Sequence, residues 1–169
     1  MLLLSNDNFV LTNPIAAEIA AFLIEIGIPV RAGTLPRGAF LPGICVENGV
    51  IIVDESRLAH PGDLLHEAGH LAMMTPEDRA APEPDMSDAG FEMAAIAWSY
   101  AAALHLGIDL EIVFHPDGYS GGSQAIIDNF RGGHYFGVPI LVWLGLTDDP
   151  KCAGQLGMMP YPIMRRWLR

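Results

Sequence analysis

The spacing of apolar residues predicts a chain of helices interrupted by a short hairpin. Asn13 followed by Pro14 has the form of a helix N-cap with proline at the first helical position. Apolar residues recur at helical spacing through residues 16–26, and Gly27 and Pro29 then end the pattern. This segment is therefore predicted to be an amphipathic helix.

The next segment reads as extended chain. Residues 44–46 and 50–53 are rich in β-branched side chains and flank Asn48-Gly49, and an Asn-Gly pair between such runs is a strong hairpin signal. Residues 29–43 are punctuated by proline and glycine, which predicts one short strand with irregular connections.

Two longer helices follow, and they form the predicted centre of the fold. The first spans about residues 61–74, and the second runs from Ser87 or Asp88 to Leu106, with Gly107 as its stop. A proline-rich, acidic surface loop at residues 75–86 connects them.

The remainder of the chain predicts smaller elements. We expect a strand or extended connector at 108–114, a loop at 115–122, helices at 123–131 and 137–146, and a short terminal helix at 163–168. The fold class is therefore α+β: a mostly helical single domain, residues 1–169, with a small antiparallel sheet packed on the two central helices.

Composition and charge indicate a single domain and exclude some classes of partner. The 169 residues are 51% hydrophobic, enough for one well-packed domain, and the net charge is −11 with nine Lys and Arg residues. Such a surface repels nucleic acid phosphates and anionic membranes, so we expect neither as a partner. The two cysteines, Cys45 and Cys152, form no ligand motif.

The apolar segments do not indicate a membrane protein. Residues 1–7 lack the basic flank and long apolar run of a signal peptide. The longest apolar stretch, residues 138–146, contains Pro139 and Gly145 and is far shorter than a membrane span. We expect a soluble, cytoplasmic protein, whose oligomeric state the sequence leaves open.

The first of the central helices carries the pattern His66-Glu67-Ala68-Gly69-His70. Residues four apart share one face of a helix, so both imidazoles can bind one metal ion. Zinc accepts neutral imidazole nitrogens and keeps one tetrahedral position for water in catalytic sites. Glu67 is then placed to take a proton from that water.

The alternative is a helix with two solvated histidines and a surface glutamate. The motif is surrounded by Leu64, Leu65 and Leu71, so this helix is expected to be buried, and buried polar side chains need partners. Gly69 lowers helix propensity but lets another backbone or a ligand approach closely. These features favour the metal site.

A catalytic zinc site normally has three protein ligands, so one more is needed. The candidates downstream are Glu92, His105, His115 and His134. Glu92 lies in an apolar stretch of the second central helix, where a carboxylate is expensive to bury unless it is paired or bound to a cation. The other reading is that Glu92 only favours the dipole of its own helix. We favour Glu92 as the ligand.

The HExxH helix followed by a second helix with Glu92-Met93-Ala94-Ala95 resembles the gluzincin zinc metallopeptidases. With the upstream hairpin and Val50-Ile51-Ile52-Val53-Asp54, the chain is most similar to the ImmA/IrrE-type and minimal gluzincins over roughly residues 44–106. The resemblance implies one zinc ion on His66, His70 and Glu92, with Glu67 as general base.

We therefore expect a zinc-dependent peptidase that acts on peptide or protein substrates. The oxyanion needs a donor besides zinc, and Tyr119 and His134 are the candidates, each in or beside a glycine-rich loop. One alternative is a non-catalytic relative whose zinc braces the fold or binds a partner. Another is an accidental motif in a metal-free interaction module.

Overall fold

The computed structural model describes residues 11–36, 41–82 and 88–169. Short 3-10 turns lie at Glu55–Arg57, Tyr119–Gly121 and Pro150–Cys152. The main elements run in the order α1 (Pro14–Glu25), β1 (Val30–Ala32), β2 (Ile44–Glu47), β3 (Val50–Val53), α2 (Asp63–Met73), α3 (Pro76–Arg79), α4 (Ala89–Leu106), α5 (Leu110–Val113), α6 (Ser123–Arg131) and α7 (Val138–Trp143). The predicted α+β class, mostly helical with a small sheet, is confirmed.

Helices α2 and α4 pack against each other through their small residues. Every residue of α4 from Ala94 to Ala103 is buried, and most of α2 is buried as predicted. At Gly69 a Cβ atom would lie 3.0 Å from the carbonyl oxygen of Ala95 and 3.1 Å from its Cα. The missing side chain therefore allows the two helix backbones to touch, which is the role expected for this glycine.

The sheet has three strands in the order β1-β3-β2. The predicted hairpin is confirmed: β2 and β3 are antiparallel, and Asn48 (φ 51°) and Gly49 (φ 74°) form the left-handed turn that this dipeptide favours. The short strand expected within residues 29–43 is β1, but it pairs parallel with β3. The sheet is therefore mixed rather than purely antiparallel.

Two N-caps begin the long helices. The Asn13 side chain accepts hydrogen bonds from the amides of Ile15 and Ala16, as predicted for α1. Asp88 caps α4 by accepting from the amides of Gly90 and Phe91. Ser87, the other predicted cap, lies outside the described residues.

The connection between α2 and α4 contains α3, which the sequence analysis treated as loop. Thr75 caps this short helix by accepting from the Asp78 amide. Arg79 then donates to the carbonyl oxygens of Leu71 and Met74, at 2.8 and 3.0 Å. The Leu71 carbonyl also accepts from the Met74 amide, so Arg79 of α3 adds to the C-terminal cap of the motif helix.

Two predictions after α4 are wrong. Residues 108–114 contain the short helix α5, because the Asp109 side chain accepts from the Glu111 amide and starts a helical turn. The expected terminal helix at 163–168 does not form. The backbone groups of this segment form hydrogen bonds outside it instead. The Thr147 hydroxyl donates to the Ile163 carbonyl, and the Arg165 amide donates to the Leu146 carbonyl.

The C-terminal segment instead lies along α4. The Trp98 indole donates to the Trp167 carbonyl at 3.1 Å, and the Tyr161 hydroxyl donates to the Ala97 carbonyl at 2.8 Å. Phe22 of α1 packs edge-on against the ring of Trp167. Helix α4 is therefore held by α2 on one side and by α1 and the C-terminal segment elsewhere on its surface.

None of the helices in residues 11–36, 41–82 and 88–169 has the length and apolar character of a membrane span.

Replacing Gly69 with Ala tests the close packing of α2 and α4. Alanine favours a helix over glycine by about 1 kcal/mol, but its methyl group would press on the Ala95 backbone, and overpacking costs about 1–3 kcal/mol. We expect a net loss on the order of 1 kcal/mol in the free energy of unfolding, measured by urea denaturation. An unchanged or increased stability would mean that α4 moves freely to accept the methyl group.

Candidate metal centre

The motif helix presents two imidazoles that converge on one point. The Nε2 atoms of His66 and His70 lie 3.2 Å apart, and their rings are nearly perpendicular, at 85°. His70 is buried, and His66 is partly buried. Two imidazole nitrogens at this separation lie within reach of one small ion, as chelation requires.

Glu92 comes from the first turn of α4 and completes the group. Its Oε1 lies 3.2 Å from Nε2 of His66, and its Oε2 lies 3.0 Å from Nε2 of His70. The structure thus brings together the three residues that the sequence analysis selected as ligands. Two imidazoles and a carboxylate form a donor set that suits zinc and leaves a fourth position open.

The charges in this group are strongly coupled. Hydrogen bonds from His66 and His70 hold the pKa of the Glu92 carboxyl group well below its usual range. Burial lowers the pKa of His66, but the hydrogen bond and negative charge of Glu92 outweigh it, and the net pKa is raised. A carboxylate facing two imidazole nitrogens needs positive charge between them, either protons on the rings or a metal ion.

Glu67 lies beside this group and lines the same cleft. Burial raises the pKa of its carboxyl group, against the lowering effect of the two neighbouring histidines. A carboxylate with a raised pKa is a better proton acceptor near neutral pH than an exposed glutamate. Its position and environment therefore suit the role of general base.

Tyr119, one of the two expected oxyanion donors, also lies in the cleft. Its hydroxyl oxygen is 3.5 Å from Nδ1 of His66, and the two rings meet edge to face. Burial raises the pKa of the hydroxyl far above the ordinary tyrosine value, so the group keeps its proton. The hydroxyl contacts the side of His66 opposite the nitrogen that faces Glu92.

His134, the other expected donor, is not brought to this site. Helix α6 ends at Arg131, Gly133 turns the chain with φ of 78°, and the His134 amide donates to the Asn129 carbonyl. The side chain is consequently exposed and does not line the cleft. His105 packs against Phe22 and Trp167 instead, so it is no ligand of this group either.

A buried pair that the sequence analysis did not assign lies next to the centre. Nε2 of His115 is 2.9 Å from Oδ1 of Asp63, and both side chains are buried. His115 was a candidate third ligand from the sequence, and the structure pairs it with Asp63 instead. Their apolar neighbours, Leu64 and Phe114, were the available signal that each side chain needs a buried partner.

His115 also belongs to a second group of metal-type ligands, together with His60 and Asp117. The rings of His60 and His115 are stacked face to face, with centroids 3.5 Å apart and planes within 6°. An ion in the plane of one ring would lie far outside the roughly 2.0–2.1 Å bonding distance of the other ring's nitrogen. The two imidazoles as placed therefore cannot bind one metal ion together, unlike His66 and His70.

The centre opens into a cleft of about 1020 Å³. Its lining includes strand β2 and the residues before it, among them Leu41, Ile44 and Val46, and also residues 118–120. Within the described residues, β2 pairs with β3 on one side only. Among the described residues, the cleft thus combines apolar lining and an unpaired strand edge with the polar centre.

Comparison of the chain with families of known proteins, with curated proteins and with solved structures gave no match.

Replacing Glu92 with Ala removes the carboxylate that joins the two helices at the centre. Two histidines alone bind zinc poorly, so we expect zinc retention in equilibrium dialysis to fall from about one ion per chain to near background. Far-UV circular dichroism should show that the helices persist. Glu18→Ala, an exposed glutamate in α1, is the matched control and should retain the metal. Unchanged zinc content in Glu92→Ala would mean that another residue is the third ligand.

Proposed function

We propose that the chain is a zinc-dependent metallopeptidase, with zinc bound by His66, His70 and Glu92 and with Glu67 as general base. The observation that carries this proposal is the convergence of both Glu92 oxygens on the two Nε2 atoms, at 3.2 and 3.0 Å. These residues come from two helices, and a metal ion bound between them would supply the positive charge that the carboxylate and the two imidazole nitrogens need.

The presence of Glu67 favours hydrolysis over a purely structural metal site. Zinc held by these three residues would acidify a water molecule and polarise a substrate carbonyl group. Glu67 would act as the proton carrier, accepting a proton from the attacking water and donating it to the leaving amine. Its raised pKa suits both steps, because the same carboxyl group must gain and lose a proton near neutral pH.

Tyr119 is the side chain available to stabilise the oxyanion. Its hydroxyl keeps its proton and lies beside the centre, so it is able to donate a hydrogen bond to an oxygen that gains negative charge. His134 has no part in this proposal, because its side chain does not line the cleft.

The shape of the cleft supports a peptide as substrate. An extended peptide can pair with a free strand edge through main-chain hydrogen bonds, and β2 offers such an edge next to the centre. The apolar residues Leu41, Ile44 and Val46 provide contacts for side chains of that peptide. The substrate proposed is therefore a peptide or an unfolded protein segment bound in extended form.

Replacing Glu67 with Gln tests the proposed chemistry. The amide cannot accept the proton, so we expect zinc content to stay near one ion per chain while the hydrolysis rate falls by about 10²–10⁴-fold. The assay is mass spectrometry of new termini in a mixture of unstructured peptides, with a chelator as the metal-free control and Glu18→Gln as the matched variant.

Three results separate the alternatives. Cleavage by the wild-type chain that is lost with the chelator and in Glu67→Gln supports the peptidase. Zinc binding without cleavage of any peptide indicates the non-catalytic alternative. Failure of the wild-type chain to bind zinc indicates an accidental motif.

A further inference from the structure

The segment after α5 is attached to the motif helix at two points. His115 bonds to Asp63 in the first turn of α2, and the Tyr119 hydroxyl approaches His66 one turn further along. Both contacts lie on α2, the helix that carries the two proposed histidine ligands. Residues 115–119 therefore form a strap along the side of α2 that faces the cleft.

The backbone of this segment is strained at Tyr119 and at the next residue. Tyr119 has φ of 53° and Ser120 has φ of 51°, and both lie in the left-handed region. Residues other than glycine pay about 1–2 kcal/mol each for this conformation. Neither side chain is of the Asn or Asp type that tolerates it. Such strain persists only where surrounding contacts fix it, and it is a frequent feature of functional sites.

Contacts on both sides of the strained turn fix its position. The buried His115–Asp63 bond of 2.9 Å anchors the start of the segment. The Ser123 hydroxyl donates to the His115 carbonyl at 2.6 Å and closes the loop from its other end. Gly118 lies so close to the His115 ring that a Cβ atom there would be 3.1 Å from Cε1. The turn therefore packs directly against the ring of His115.

We propose that Tyr119 is a positioning residue for the metal centre: its hydroxyl oxygen accepts a hydrogen bond from Nδ1–H of His66, and the Asp63–His115 pair holds it there. This inference rests on the proposed zinc site. When Nε2 of His66 binds a metal ion, its proton must be on Nδ1, and that proton needs an acceptor. The Tyr119 oxygen, 3.5 Å away, is the hydrogen-bond partner of Nδ1 among the described residues.

This role differs from oxyanion stabilisation, although one hydroxyl can serve both. The oxygen accepts from His66, while the hydroxyl hydrogen remains free to donate into the cleft. An oxyanion donor affects only the reaction rate, whereas a partner of a ligand affects metal affinity before any substrate binds. Metal affinity therefore separates the two roles without reference to hydrolysis.

The test is Tyr119→Phe, which keeps the ring and removes the hydroxyl. We expect the zinc dissociation constant, measured by competition with a chromophoric chelator, to rise by about 10–100-fold, the usual cost of losing an outer hydrogen bond to a ligand histidine. Tyr135→Phe is the matched control, because Tyr135 packs on Phe130 and Tyr161 away from the cleft. The metal-free forms of both variants should unfold close to the wild-type temperature.

A second readout reports the hydrogen bond itself. In the zinc-loaded wild-type protein the Nδ1 proton of His66 should give a slowly exchanging NMR signal, and in Tyr119→Phe that proton should exchange rapidly with solvent. Asp63→Ala should weaken zinc binding by releasing the strap. Combined with Tyr119→Phe it should add little further loss, because both changes break the same contact.

The possible results distinguish this inference from the proposed function. If the wild-type chain binds zinc and Tyr119→Phe binds it equally well, the positioning role is wrong while the zinc site stands. Equal affinity with a reduced hydrolysis rate would assign Tyr119 to the oxyanion alone. If the wild-type chain binds no zinc, the proposed function itself fails.

Discussion

The close approach of α2 to α4 is the constraint on which the candidate centre depends. Gly69 presents no side chain where the helices meet, so the Ala95 backbone comes into contact with α2. Glu92 lies about one helical turn before Ala95, and the same approach carries its carboxylate to His66 and His70. A histidine pair on one helix supplies only part of a tetrahedral site. The remainder is set by the distance between two helix axes, so the metal chemistry proposed here is a property of tertiary packing as much as of the motif.

The charges at the centre match the negative net charge of the whole chain. With a net charge of −11, the chain attracts cations in general, and the centre concentrates this tendency where Glu67 and Glu92 face two imidazoles. The low pKa of Glu92 and the raised pKa of Glu67 arise from different causes, hydrogen bonds in one case and burial in the other. Two neighbouring carboxyl groups with pKa values displaced in opposite directions are suited to different tasks, one as a permanent ligand and one as a proton carrier.

The sequence predicted the parts of this site that have local signals. His66, Glu67 and His70 form a compact motif, and Glu92 is a charged residue in an apolar helical run, so helical spacing and this apolar context were enough to select them. The expected burial of Glu92 was wrong, because its side chain is 46% exposed at the mouth of the cleft. The Asp63–His115 pair joins residues 52 positions apart, and no local pattern shows which polar residue faces which. The contact of Tyr119 depends on a left-handed turn that its sequence does not favour. His134 illustrates the opposite error, since adjacent glycines indicated a loop but not the direction in which it leaves α6.

The C-terminal segment is connected to the candidate centre through helix α4. The Trp167 carbonyl accepts a hydrogen bond from Trp98, and the Tyr161 hydroxyl donates one to the Ala97 carbonyl. Both Trp98 and Ala97 belong to α4, the helix that carries Glu92. An ion that joined Glu92 to the histidines would stabilise the arrangement of α4 against α2, and this distant segment docks on the same helix. If undocking of the segment disturbs α4, occupancy of the site and protection of residues 160–169 from proteolysis should rise together.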